Sequence, residues 1–188
     1  MIELEGGDPD IRRARVDDVG AVARLAQSVA IAGADGRDHP KGFLIPYSEQ
    51  EYEDYARRAD FFDVLRLQGT LRGFVLAHSA AMSAAFGGEV YEHIGATHPG
   101  AHLVVRQICV DPACAGSGFG RALYEAVFER ARRAQPPLGS ALCFIWEQPA
   151  NEASAHFHAA TGWRRVEGYS LREGSGRVGI WQRDLALR

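Results

Sequence analysis

Residues 103–124 read LVVRQICVDPACAGSGFGRALY, and the rest of the chain is organised around them. The run that opens at Leu103 carries apolar residues on both faces, as a strand buried in the middle of a sheet must. Asp111 and Pro112 stop that strand, because proline supplies no ladder donor and restricts the residue before it. Gly116, Gly118 and Gly120 then alternate with Ser117 and Phe119 and lead directly into a helical pattern. In that pattern Leu123, Ala126, Val127, Ala131 and Ala134 fall at helix spacing. Glycines at the start of a helix let backbone amides approach a ligand that a Cβ would hold away. Such unpaired amides, at the positive end of the helix dipole, suit a phosphate or pyrophosphate.

The spacing excludes the commoner phosphate loops. A P-loop needs Gly-Lys-Ser/Thr, whereas Gly120 is followed by Arg121 and Ala122. A dinucleotide fingerprint needs G-x-G-x-x-G, and this is G-x-G-x-G. Ser117 is no nucleophile elbow, since Ala115 stands where G-x-S-x-G requires glycine. A glycine-rich helix start without any ligand is the plainer alternative.

Val110-Asp111-Pro112 followed by Ala115-Gly116-Ser117-Gly118-Phe119-Gly120-Arg121-Ala122-Leu123 resembles the central motif of the GNAT superfamily of acyl-CoA-dependent N-acyltransferases. Ala115 departs from the Gln or Arg usual in that family, which removes a side-chain contact and leaves the amide cradle. A second segment, Asn151, Ser154, Phe157-His158 and Gly162-Trp163, is similar to the family's N-x-x-S-x-x-F-[YH]-x-x-x-G-[FW] helix and turn. The resemblance implies acetyl-CoA as co-substrate, without a metal. Ile108, Cys109 and Val110 would pair through their backbone with the pantetheine arm. Residues 115–121 (Ala115, Gly116, Ser117, Gly118, Phe119, Gly120, Arg121) would cradle the diphosphate, and Asn151, Ser154 and Phe157 would border the arm and the thioester sulfur.

Composition agrees with a single soluble globular domain over residues 1–188, with 1–10 as a frayed lead-in: 46% of residues are hydrophobic and 24% charged. A formal net charge of −3, with no basic run, argues against a nucleic-acid partner. No apolar run suits a membrane span and no signal peptide opens the chain, which reads as cytoplasmic. Cys109, Cys114 and Cys143 are odd in number and lack metal spacing, the pattern of reduced thiols.

Along the chain, residues 11–16 read as a strand and Asp17 or Asp18 as the cap of a helix with Val19, Val22, Ala23, Ala26 and Ala30 on its apolar face, ended by Gly33. Residues 34–46 read as loop and 49–60 as a second helix. Strands at 63–67 and 71–78 are joined by a tight turn at 68–70. Residues 80–100 read as a long hairpin loop or a small helix. Pro136 and Pro137 break the helix that follows the glycine loop; a strand at 141–146, the second-motif helix, and strands at 163–171 and 178–185, linked by a turn at 174–176, complete the chain. The order is that of a mixed α/β protein with the GNAT fold, a central twisted mixed sheet of about six to seven strands flanked by about four helices.

At helix spacing Asn151, Ser154 and His158 share one face, while Ala153 and Phe157 point toward the core. A thiolate leaving group, with a pKa of about 8.5, benefits from an acid near the sulfur. Many relatives place a tyrosine where this chain has His158; a histidine with an ordinary pKa of about 6.5 is partly protonated at neutral pH and can donate. Packing beside the co-substrate is its alternative role, and His156 reads as surface. For a general base the candidates are Glu147, Glu92 and His93, with proton loss to water as the other route. His39, Phe43, Tyr47 and Tyr52 are candidates for the acceptor mouth. The implied activity is acetyl transfer from acetyl-CoA to a primary amine by direct attack on the thioester, the acceptor being a small molecule, an amino acid, or a protein N-terminus or lysine. An acyl-CoA-binding sensor or scaffold is the alternative, a nucleotide binder a third, and a homodimer is compatible with all of them.

Overall fold

A computed structural model describes residues 8–31, 41–172, 174 and 176–185. In chain order its elements are β1 (Asp10–Arg13), α1 (Val19–Ser28), α2 (Glu49–Arg58), β2 (Phe61–Leu67) and β3 (Thr70–Ser79). There follow α3 (Ser83–Phe86), α4 (Glu89–Thr97), β4 (Leu103–Val110), α5 (Phe119–Arg133) and β5 (Ser140–Gln148). The chain closes with α6 (Glu152–Ala160), β6 (Arg164–Ser170) and β7 (Arg177–Asp184). The strands form one seven-stranded sheet in the order β1-β2-β3-β4-β5-β7-β6. Every neighbouring pair is antiparallel except β4 with β5.

Both faces of the central strands are buried, which is why their sequences lack a polar alternation. Successive residues point to opposite sides. Phe62, Val64, Phe74 and Leu76 meet α1 and α2 on one face, whereas Phe61, Leu65, Val75 and Ala77 meet α5 on the other. A smaller cluster of Val90, Ile94, Leu142, Val178 and Ile180 lies under α4. The second helix is started by a capping box: Ser48 Oγ accepts from the Glu51 amide at 3.3 Å and Glu51 Oε2 accepts from the Ser48 amide at 2.8 Å.

Three expectations change. The first strand ends at Arg13, and residues 16–18 form a 3-10 turn. Asp18 does stand at the start of α1, but its carboxylate does not cap it. It accepts instead from both terminal nitrogens of Arg12 at 2.8 and 2.9 Å and from Arg66 at 2.8 Å, an ion cluster that draws the carboxylate away from the helix. Of the two readings of residues 80–100 the helical one holds, but with two helices instead of one: they contain α3 and α4, so six α-helices rather than about four are present among the described residues. The apolar side of α4 (Val90, Tyr91, Ile94) explains why this segment packs instead of looping out. Gly33, His39, Pro40 and most of residues 1–10 lie outside the described residues. Among the described residues, no helix is long and apolar enough to cross a membrane.

Candidate active site

The parallel partners β4 and β5 are hydrogen-bonded only where Leu103–Val105 face Ala141–Cys143. Beyond Val105 the strands run on without pairing, so β4 presents a stretch of open backbone edge to the gap. Such an edge can accept an extended amide-bearing ligand as if it were another strand. Part of the divergence comes from a bulge. On the other side of β4, Leu76 pairs with Gln107 and Ala77 with Val105, which leaves Arg106 as the extra residue. A bulge re-aims the side chain at that point, and Arg106 turns into the gap.

Two cavities occupy this opening. An inner one of about 290 Å³ lies between the strands and is lined by Val105 to Ile108 of β4, Cys143 to Trp146 of β5, and Tyr47, Tyr91, Tyr124 and His158. An outer one of about 580 Å³ runs from Ile108, Cys109 and Val110 past the glycine loop to α6. They share Phe43, Leu44, Ile108, Asn151 and Ser154, so the junction lies where β4 and the first turn of α6 face each other. The segment carrying Phe43 to Tyr47 roofs this junction. Asn151 Nδ2 donates to the Phe43 carbonyl at 2.9 Å and Gln107 Nε2 to the Ile45 carbonyl at 2.8 Å.

Of the residues singled out from the sequence, Ile108, Cys109, Val110, Ala115, Gly116, Gly118, Phe119, Gly120, Arg121, Asn151, Ser154 and Phe157 all line the outer cavity. Ser117 does not; its hydroxyl turns back to the Cys114 carbonyl at 2.7 Å. Gly118 is the residue before α5 and adopts φ +86°, a left-handed conformation that costs an L-residue about 1–2 kcal/mol. Among the described residues, the amides of Gly116, Gly118, Phe119, Gly120 and Arg121 have no protein acceptor. Gly120 serves packing as well: a Cβ there would sit 2.9 Å from the Phe157 ring. Lys41, which sequence reasoning passed over, reaches the same cavity and donates to the Pro112 carbonyl at 3.0 Å.

The second-motif helix differs in detail from its reading. Asn151 is the cap itself, its Oδ1 accepting from the Ser154 amide at 3.2 Å, so its carboxamide is engaged at both ends. Ala153 and Phe157 line the outer cavity, and His158 is the one that enters the core, only 3% exposed among Tyr124, Phe157 and Trp163. Its Nδ1 faces the Ser154 carbonyl at 2.7 Å, and a carbonyl can only accept, so the ring proton is at Nδ1. Nε2 therefore accepts from the Tyr124 hydroxyl at 2.7 Å. Burial pulls the imidazole down to about 4. The expectation of a partly protonated donor is corrected: near pH 7 His158 is neutral, and its one proton is committed to the backbone. Tyr124 is the residue that sequence reading missed. Its signal was a hydroxyl on the otherwise apolar side of α5, one residue from Leu123 and four before Phe128.

None of the three candidate bases reaches either cavity. Glu147 is held by Arg165 and Arg177, and the hydrogen bond from Arg165 keeps its carboxyl below the usual range. His93 pairs with Glu167 at 2.7 Å, and Glu92 is exposed. Among the described residues, no carboxylate lines the inner cavity.

The sequence matches the model of the acetyltransferase (GNAT) family over residues 30–163. The chain belongs to the GNAT family. No curated protein matches it. Ard1 from Thermoplasma volcanium has the same fold, with a TM-score of 0.70 at 16% identity over 95% of this chain and 99% of that one. The PaiA N-acetyltransferase from Thermoplasma acidophilum, in complex with coenzyme A, gives 0.63 at 14% identity, covering 95% and 99%. The GphF GNAT-like decarboxylase, in complex with isobutyryl-CoA, gives 0.65 at 22%, covering 94% and 100%.

This GNAT chain also carries a pH signature. His158 and His78 are both held neutral by burial, each at about 4. An unfolded histidine protonates near 6.5, so below that pH the unfolded chain binds more protons than the folded one. Stability is therefore full above about pH 6.5 and falls as pH drops toward about 4, by at most about 3 kcal/mol for each ring. Urea midpoints measured from pH 7.5 to 4 should decline, and His158→Gln should flatten the decline.

Proposed function

We propose that this GNAT chain transfers the acetyl group of acetyl-CoA to a primary amine by direct attack of the amine on the thioester. The observation that carries the reading is the continuity of free backbone amides, open strand edge and inner cavity along one path. The diphosphate of the substrate would lie on the amides from Gly116 to Arg121, with Lys41 and Arg121 adding positive charge. The pantetheine amides would pair with β4 at Ile108 to Val110, bringing the sulfur to the junction near Ser154. Cys109 takes part through its backbone only, since burial pushes its thiol up to about 12.

At the junction the neutral amine adds to the carbonyl carbon, the C–S bond breaks, and the nitrogen proton leaves to water. Tyr124 is the group proposed to meet the departing sulfur. Burial raises its phenol well above the ordinary value, so it stays protonated and acts as a hydrogen-bond donor. Its hydroxyl rotates from the neutral Nε2 of His158 to the thiolate, exchanging a neutral acceptor for a charged one. His158 is a positioning residue: it holds the phenol and fixes its direction.

The absence of a carboxylate among the residues lining the inner cavity favours, as second reading, a domain that binds acyl-CoA and turns it over feebly. One experiment separates the two. Thiol release from acetyl-CoA is followed across a panel of amines, and thermal unfolding is measured with coenzyme A, ATP or NAD. A ligand at 100 times its Kd stabilises by about 2.7 kcal/mol, or roughly 5–10 °C for a domain of this size. The reading expects that shift with coenzyme A alone and amine-dependent thiol release. Shift without release supports the sensor, and no shift with coenzyme A removes both.

A further inference from the structure

Arg106 is a cation lining the inner cavity, and among the described residues no anion meets it. Its guanidinium lies 3.7 Å from the centre of the Tyr91 ring and between the rings of Tyr47 and Tyr55. Its hydrogen-bond partners are all neutral and mostly long: Tyr47 Oη at 3.1 Å from Nε, His78 Nε2 at 3.4 Å, and the Gly87 carbonyl at 3.3–3.4 Å. Among the described residues it has no carboxylate partner. Glu51, the acidic side chain on the neighbouring helix that senses its charge, has an oxygen turned to the amide and hydroxyl of Ser48. His78 cannot offset the charge, being neutral with its Nδ1 facing the Ser79 carbonyl.

Arg106 is half-buried, and even partial removal of a cation from its hydration is costly unless something negative meets it. Most of the arginines described here sit in ion pairs, and the bulge in β4 turns this one into the cavity instead. The planar fork of a guanidinium matches a carboxylate in a two-point contact that an ammonium group could not make. The tyrosine rings hold the fork in place without consuming its charge. At about 290 Å³ the space is at the small end for ligand cavities, too small for a long peptide.

We infer that the second substrate is a small amine that also bears a carboxylate, an amino acid in the broad sense, with its carboxylate on Arg106 and its amine toward the junction at Ile108 and Ser154. This rests on the acetyl-transfer reading, and it deepens that reading by naming the substrate class. Arg106 is then the residue that selects the acceptor. The flanking aromatic residues Tyr47, Phe144 and Trp146 suit an apolar or aromatic body between the two polar ends.

The test uses matched pairs with acetyl-CoA: phenylalanine against phenethylamine, tyrosine against tyramine, and γ-aminobutyrate against butylamine. The expected result is a kcat/KM at least 10- to 100-fold higher for at least one carboxylate member, the range of a hydrogen bond to a charged group. Arg106→Gln should collapse that ratio toward one, and Arg106→Lys should retain part of it. Binding of the same compounds to the coenzyme A-loaded protein is measured alongside by titration calorimetry. Saturable, Arg106-dependent binding of the carboxylate member without turnover would uphold the inference while refuting acetyl transfer. Equal rates and equal binding within every pair would overturn it. So would equal loss of both members in Arg106→Gln, the sign of a purely structural arginine. Arg106-dependent competition by malonyl-CoA, with no amino acid bound, would place the carboxylate on the donor and also overturn it. The wild-type comparison needs no variant, so a poorly folding substitution leaves the inference open to refutation.

Discussion

Gly118→Glu should leave a folded protein that no longer binds coenzyme A. The left-handed φ of +86° makes any L-residue there cost about 1–2 kcal/mol, a melting shift of roughly 2–8 °C for a domain of this size. No heavy atom lies within 4 Å of where the Cβ would go, so the new side chain starts into open space rather than into the core. What it does meet is the ligand space: a carboxylate would stand among the free amides of Gly116 and of Gly118 to Arg121, where the diphosphate is proposed to sit. Bulk and like charge then act together, and affinity should fall by at least a hundredfold, about 2.7 kcal/mol or more. Gly118→Ala is the control, because it pays the same backbone strain with a single methyl group. If the alanine variant loses as much affinity as the glutamate variant, the loop's shape rather than its amides is responsible. Unchanged affinity in Gly118→Glu would remove the glycine loop from the proposed site altogether.

Tyr124→Phe should separate turnover from binding. Among the described residues the hydroxyl bonds only His158, so removing it takes away one buried hydrogen bond and leaves the ring stack with Phe128 and Phe157 in place. If it serves the departing thiolate, kcat should fall by about 10- to 100-fold, the value of a hydrogen bond to a charged group. The Kd for coenzyme A should stay within about twofold. A structural role predicts the opposite pattern, a lower melting temperature with kcat preserved. Because His158 is neutral at working pH, its ionisation should not appear in the kcat profile between pH 6 and 8. A limb near 6.5 that vanishes in His158→Gln would mean that the imidazole titrates during turnover, against its burial.

The glycine loop was legible because its signals are local. Asp111-Pro112 stops a strand, and alternating glycines start a helix, whatever lies elsewhere in the chain. The hairpin around Gln68 and Gly69 and the end of α5 near Pro136 were legible for the same reason. Residues 80–100 were harder, since the glycines at 87 and 88 masked two short helices whose burial depends on strands more distant in sequence. His158 was found by its place in a motif, but its protonation was misjudged. A pKa depends on what surrounds the ring, and Tyr124, which closes off its Nε2, comes from a different helix 34 residues away.

The order of the strands and of the helices outside residues 80–100, the loop at residues 116–120 and the resemblance to the GNAT family were carried by the sequence itself. The first two rest on spacing and on the backbone preferences of residues close together along the chain, and the family rests on the resemblance of two motifs and the family match over residues 30–163. The tertiary structure alone decided that His158 is neutral, that Glu147 is spent on two arginines, and that Arg106 lines the inner cavity with no anionic partner among the described residues. These three follow from contacts among strands and helices that are distant in sequence, and no periodicity within one segment encodes them. Arg106 shows the difference most directly. In the sequence it is a charge inside an apolar strand, and only the bulge against β3, with tyrosines brought from three other segments, sets it in the inner cavity.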